Sequence, residues 1–338
     1  EALDRAEEPE YEKILNPENP DHRWLWRRIF PQKEPLEVER AGQKSAVSDE
    51  ELRARRREGA KGLVDFIRQR VLANDEQNLA ILEDGVKKGR GPQFEHRKRF
   101  LEWRTKRIKE GTFFDALKPI FVWARRIVTY KRMLKIILGE HLEQTIQPWI
   151  YEIAEKHGRP ITIEEADMMI DRLKADGAFH RFAALLKRGE QLTFAGKAFD
   201  KFGESQIELL NRILQRAYED NFDDAGNPRP LKQDGLPLSI AEQIVFVPGY
   251  TEDVAKHFAA GATAYIASSE VPLEASGTSP MKPLVPVIAS HDGYEATHIV
   301  NEVNGWLFGH RHDPPSDPGS RHHYFWEEAE DMYRVMNR

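Results

Sequence analysis

The sequence predicts an α/β fold: a Rossmann-like parallel sheet preceded by a helical segment. Two observations carry this. After Thr112, six short apolar runs recur, at 119–123, 192–195, 244–247, 263–267, 284–289 and 306–309. Between them lie stretches with helical periodicity, at 133–142, 204–218 and 252–260. Strands of this length alternating with helices indicate βαβ units, which build parallel sheets.

Taken in order, residues 1–110 read as a helical, basic lead-in segment. Ser48-Asp49-Glu50-Glu51 has the spacing of a capping box, and Leu63, Val64, Ile67 and Val71 follow at helical period. The run 94–110 mixes Arg and Lys with Phe100, Leu101, Trp103 and Ile108, as an amphipathic helix with a solvated basic face does. Residues 111–315 form the expected sheet domain. The connection from Thr129 to Gln191 is too long for one helix, so a helical hairpin is expected around 163–188. Asp313-Pro314-Pro315-Ser316-Asp317-Pro318-Gly319 is a breaker segment. It separates the sheet domain from a C-terminal helical part, 316–338, whose helix is read over 325–336.

Composition narrows the function classes. The 338 residues include 50 Lys and Arg against 56 Asp and Glu, a net charge of −6, which disfavours general nucleic-acid binding. There is no Cys, which removes disulfides, thiol catalysis and Cys-type zinc sites and suits a reducing compartment. No apolar run approaches the roughly 18 residues of a membrane helix, and residues 1–12 are acidic with no secretory apolar core. A cytoplasmic location, with no membrane and no nucleic acid as partner, is the resulting expectation.

Ligands of doubly wound sheets bind beyond the carboxyl ends of the strands, so the residues after each apolar run are the informative ones. After 119–123 come Arg125, Arg126, Lys131 and Arg132, four cations within eight residues beside a helix start. Helix starts favour anions, and the cations add a place for one or two phosphates. After 192–195 comes Gly196-Lys197, where glycine permits close backbone approach and lysine can meet an anion. After 263–267 comes Glu274-Ala275-Ser276-Gly277-Thr278-Ser279-Pro280-Met281-Lys282. Ser276, Gly277 and Thr278 offer an anion cradle, Glu274 suits sugar hydroxyls, and Lys282 is a candidate Schiff-base amine.

Together these segments resemble one family. EASGTSPMK is similar to the signature of the α-glucan (glycogen, starch, maltodextrin) phosphorylases. RRIVTYKR resembles their basic motif, AGKAF their Gly-Lys-Ala segment, and VFVPGY the strand that ends in Asn-Tyr. DGYE and NGWLFG resemble segments of the short prokaryotic branch. Order and approximate spacing agree across 111–312, and more loosely from Trp24 onward.

The resemblance implies the type-B glycosyltransferase fold, of which this chain covers the C-terminal catalytic part. It implies glucosyl transfer between the non-reducing end of an α-1,4-glucan and orthophosphate, releasing glucose 1-phosphate. It also implies pyridoxal phosphate as cofactor. By position, Lys282 would anchor the cofactor, Arg125, Gly277 and Thr278 would hold its phosphate, and Tyr250 would pack near it. Arg126 and Lys131 would hold the substrate phosphate, so that Arg126, Lys131 and Lys282 form the catalytic set. Glu274, Ser276, Gly277 and Tyr130 would bind the sugar. A glucan-facing N-terminal domain outside this chain, or a second copy of it, is the expected partner.

The sequence departs from the family pattern at Pro280 and at Pro283. Proline lacks an N–H and biases the residue before it away from helix. PLVPVIAS reads more like a strand of nucleotide-sugar glucosyltransferases of the glycogen or starch synthase kind. That enzyme class, and a non-catalytic carbohydrate-binding relative, are the alternatives. Elsewhere, His310, His312, His322 and His323 lie near Asp313 and Asp317 without metal-ligand spacing, so no metal is expected. His291-Asp292 is a candidate acid–base pair that also fits the loop before the last strand. Trp103, Trp123 and Trp306 are read as core rather than sugar platforms.

Overall fold

A computed structural model describes residues 37–40, 43–46, 49–87, 92–231, 234–274 and 285–337. The six apolar runs form six strands, β3 (Ile120–Ala124), β4 (Gln191–Ala195), β5 (Ile244–Val247), β6 (Ala264–Ala267), β7 (Val287–Ser290) and β8 (Gly305–Phe308). They pair in the order β5-β4-β3-β6-β7-β8, and every pairing is parallel. This is the Rossmann-like order, in which the chain runs outward from β3 to one edge, then crosses back to start again beside β3. The crossing leaves a switch point between the carboxyl ends of β3 and β6.

Strand alternation divides the core into two layers. Phe121, Trp123, Leu192, Phe194, Ile266 and Ile288 face one layer. Ile120, Val122, Ala124, Val245, Val247, Tyr265 and Ala289 face the other. Both faces are therefore covered, as a parallel sheet requires. The first layer is closed by α5 (Ile163–Ala175), α6 (His180–Leu186), α7 (Lys201–Asn221), α8 (Leu238–Gln243) and α11 (Pro318–Met336). The second is closed by α9 (Glu252–Gly261) and α1 (Asp49–Lys87), which pack along each other. The short α10 (Gly293–His298) follows β7.

The lead-in helices take part in both layers. Leu63, Val64, Ile67 and Val71 of α1 enter the second layer, and Phe100 and Leu101 of α2 (Pro92–Lys109) enter the first. The basic face of α2 is largely neutralised within the protein: Arg99 meets Asp224, Arg104 meets Asp75, Arg107 meets Glu242 and Lys109 meets Glu76.

Three elements differ from expectation. Within the segment read as helical, β1 (Glu37–Arg40) pairs antiparallel with β2 (Gln43–Ala46), although Val38 is their one β-branched residue. The helix expected over 133–142 is broken. The short α3 (Lys135–Leu138) ends where Gly139 takes φ 55°, a π-turn follows at Leu142–Ile146, and α4 (Gln147–His157) continues. The apolar residues there, Leu134, Ile136, Ile137 and Leu138, are buried all round, so their spacing never reported a single helical face. The last helix starts seven residues earlier than read, at Pro318 instead of 325. Asp317 caps it by accepting from Ser320 N at 2.9 Å, and Pro318 suits the first turn, so the end of the breaker segment is a helix start. The expected hairpin at 163–188 is present as α5 and α6, opened by a Thr162–Glu165 capping box.

Candidate functional site

The ladder between β3 and β4 continues past both strands. Arg125 N donates to Ala195 O at 3.1 Å, Ile127 N donates to Lys197 O at 2.9 Å, and Ile127 bridges Ala198. This tight approach depends on Gly196. A Cβ there would lie 2.1 Å from Arg125 O and 2.8 Å from Ile127 Cγ1. Gly196 thus sets Arg125-Arg126 beside Lys197 at the sheet's carboxyl edge.

Successive residues of extended chain point to opposite faces. Arg125 turns inward, 1% exposed, toward β6, while Arg126 is exposed. Arg125 Nη1 donates to Ser269 Oγ at 2.8 Å and Nη2 to Glu274 Oε2 at 2.8 Å. Lys131 Nζ donates to the same oxygen at 2.7 Å, and Ser269 Oγ at 3.1 Å. Three donors therefore converge on Oε2 of Glu274 at the switch point, and no described residue donates to its Oε1. The loop that carries Glu274 is held by Asp292, which accepts from Glu274 N at 2.7 Å and Gly293 N at 2.9 Å.

The electrostatics favour an ionised Glu274. Burial alone would push the Glu274 carboxyl up, but the Lys131 hydrogen bond and the charges of Arg125 and Lys131 outweigh it and hold it below the usual range. Burial, with Arg125 beside it, pulls Lys131 down, opposed by Glu274. Tyr130 is pushed up by burial and by the Glu274 charge; its ring lies 5.4 Å from Lys131 Nζ. Asp292 is pushed up by burial and His291 down by burial.

On the other face, Arg126 opens on a cleft of ≈ 730 Å³ lined by Lys197, Phe199, Tyr250, Thr251 and the first turns of α9. Neither Arg126 nor Lys197 has an ion-pair partner among the described residues. Arg125, Arg126, Lys131, Tyr130, Glu274 and Tyr250 thus all lie at the carboxyl edge, in two adjoining places. Ser276, Gly277, Thr278, Pro280, Lys282 and Pro283 lie outside the described residues.

Two serines at the site carry a signal in the sequence by their position alone. Ser268 and Ser269 directly follow β6, where the rule about strand ends directs attention. Arg132, grouped by sequence with the phosphate cations, does not face the site. It is fully buried against Glu328 and Glu143. Among the described residues, Asp292 accepts from Glu274 N and Gly293 N and has no hydrogen bond to His291. Trp123 is fully buried and donates to Ser268 Oγ at 3.3 Å; Trp103 packs on Tyr218 and Phe222. His310 and His323 each approach Glu327, at 3.5 and 3.3 Å, but no group of three or more metal-ligating side chains is formed among the described residues.

Compared with models of known families and with curated proteins, the chain matches none. No described helix is long and apolar enough to cross a membrane.

Proposed function

We propose that this chain carries the anion- and sugar-handling part of an α-glucan phosphorylase-type glucosyltransferase of the type-B fold. The reaction is reversible transfer of a glucosyl unit from the non-reducing end of an α-1,4-glucan to orthophosphate. The C1–O bond to the glucan breaks, a C1–O bond to phosphate forms, and the leaving oxygen takes a proton from the phosphate. The observation that carries this reading is the convergence of Arg125, Lys131 and Ser269 on one oxygen of Glu274 at the switch point.

That arrangement suits a site that must bind an anion and a polyol side by side. Glu274, held ionised by two cations, has an Oε1 to which no described residue donates and which would accept from a sugar hydroxyl. Lys131 and the exposed Arg126 are the cations for orthophosphate, and Lys197 lines the same cleft as Arg126. Placing two phosphates close together is repulsive, and preorganised cations offset that repulsion. Pyridoxal phosphate belongs to the proposal; when bound, it would supply a second phosphate that exchanges a proton with the first. The cleft on which Arg126 opens would suit an aromatic phosphate, since Tyr250 and Phe199 line it together with Arg126 and Lys197. Gly277, Thr278 and Lys282 are assigned to the cofactor by resemblance alone.

Thermal unfolding separates this reading from its rivals. Orthophosphate with maltodextrin is expected to raise the melting temperature, and Arg126→Ala to weaken the phosphate effect. Stabilisation by UDP-glucose or ADP-glucose instead would reassign the chain to nucleotide-sugar transfer. Stabilisation by maltodextrin alone, with no response to either anion, would make it a carbohydrate-binding protein.

A further inference from the structure

Arg132 follows Lys131 in the chain but enters a different network. Its backbone is left-handed, with φ 48° and ψ 54°. A non-glycine residue held there stores strain that its surroundings must offset. It belongs to a set of four buried charges, with Lys135, Glu143 and Glu328. Arg132 makes a two-point contact with Glu328 of α11, at 2.6 and 2.9 Å, and Nη1 reaches Glu143 at 3.1 Å. Lys135 Nζ lies 2.9 Å from Glu143 and 3.0 Å from Glu328.

The same guanidinium holds the end of β6. Arg132 Nε donates to Ser268 O at 2.7 Å, and Nη2 donates to Ser269 O at 2.6 Å. Ser268 Oγ in turn lies within hydrogen-bond reach of Lys131 O and Arg132 O. Thus the backbone at Lys131 and the backbone at Ser269 are fastened to each other through Arg132. Those two residues donate to Glu274 Oε2.

We infer that Glu328, on the C-terminal helix, is a positioning residue for the Lys131–Glu274 site. It holds Arg132 in a strained conformation, and Arg132 sets the spacing between the β3 and β6 ends. The inference rests on reading Arg125, Lys131 and Glu274 as the anion and sugar site.

The test is competitive acylation of lysines in the full chain, read by peptide mass spectrometry, on Glu328→Gln and Glu328→Asp. In the wild type, Lys131 is protected by its bond to Glu274. In Glu328→Gln, Lys131 labelling is expected to rise about tenfold, the size of one lost charge-assisted hydrogen bond, while the exposed Lys201 and Lys256 stay unchanged. Glu328→Asp retains the charge with a shorter reach, and a rise of about threefold is expected on the same scale. It carries the test if the first variant does not fold. In parallel, orthophosphate affinity is measured by calorimetry and is expected to fall in each folded variant. Unchanged Lys131 labelling in a folded variant overturns the positioning role. So does wild-type phosphate affinity in that variant. Absence of phosphate binding in the wild type instead removes the proposed function, and the labelling still decides the role of Glu328.

Discussion

Lys131 Nζ lies 2.7 Å from Glu274 Oε2, across 143 residues of chain. The lysine follows β3 and the glutamate follows β6, and they meet because those two strands are neighbours in the sheet. The site is therefore a product of strand order, with its charges provided in advance by two separate loops.

Neutralising Glu274 leaves Arg125 and Lys131 buried without their shared anion. Glu274→Gln is expected to lower stability by about 3–5 kcal/mol, the usual cost of breaking a buried pair from one side. An added anion should replace the missing charge. Orthophosphate should therefore raise the melting temperature of Glu274→Gln more than that of the wild type, as measured by calorimetry. An equal response in both proteins would show that the cations are closed to solvent anions.

Arg126 and Lys197 have no partner among the described residues to lose. Arg126→Ala and Lys197→Ala are each expected to change stability by no more than about 0.5 kcal/mol. Orthophosphate affinity should nevertheless fall about tenfold for each, the scale of a charge-assisted hydrogen bond. Calorimetric titration checks this, and unaltered affinity in both variants would move the phosphate elsewhere.

Gly196 keeps the β3 and β4 ends together, because a side chain there would meet backbone at 2.1 Å. Gly196→Ala is expected to cost about 1–3 kcal/mol, as overpacking of a tight core does. It should also displace Arg125, so phosphate affinity should fall with stability. Chemical denaturation paired with titration tests whether the two losses occur together.

The two buried glutamates of the Arg132 network should respond oppositely to charge removal. Arg132 and Lys135 overcome burial and pull the Glu328 carboxyl down to about 2, whereas burial pushes that of Glu143 up. A depressed carboxyl stabilises the fold above its unfolded pKa, near 4.3. That contribution is lost as pH falls toward about 2. Glu328→Gln should therefore be destabilised by about 3–5 kcal/mol at neutral pH, with the gap to wild type narrowing in acid. A raised carboxyl has the opposite sign, so Glu143→Gln should cost less at neutral pH. Denaturation curves from pH 7 to 3 check the order, and a larger neutral-pH loss for Glu143→Gln would contradict it.

The parallel sheet was legible because each strand is a short apolar run flanked by polar turns, and burial on both faces demands such runs. The candidate cations after β3 were legible for a related reason, since strand ends are where a doubly wound fold binds ligands. The division of labour among those cations was not legible. Arg125 and Arg126 are identical in type and adjacent in sequence, yet one is buried against Ser269 and Glu274 and the other is exposed. Arg132 reads in sequence as a fourth site cation, but Glu328, 196 residues away, holds it in a separate network. The early helix start at Pro318 was hidden because proline and glycine break helices in the middle but fit the first turn.

The sequence by itself determined the α/β class, the six strands, and the cluster of positive charge beyond β3. Local periodicity and residue type are sufficient for these, because they depend on a strand's own burial and on a turn's own charge. The tertiary structure alone decided which strand ends are neighbours, which cations turn inward, and that the C-terminal helix is fastened to the site. Those outcomes depend on strand order and on pairings across more than a hundred residues, which no local pattern encodes.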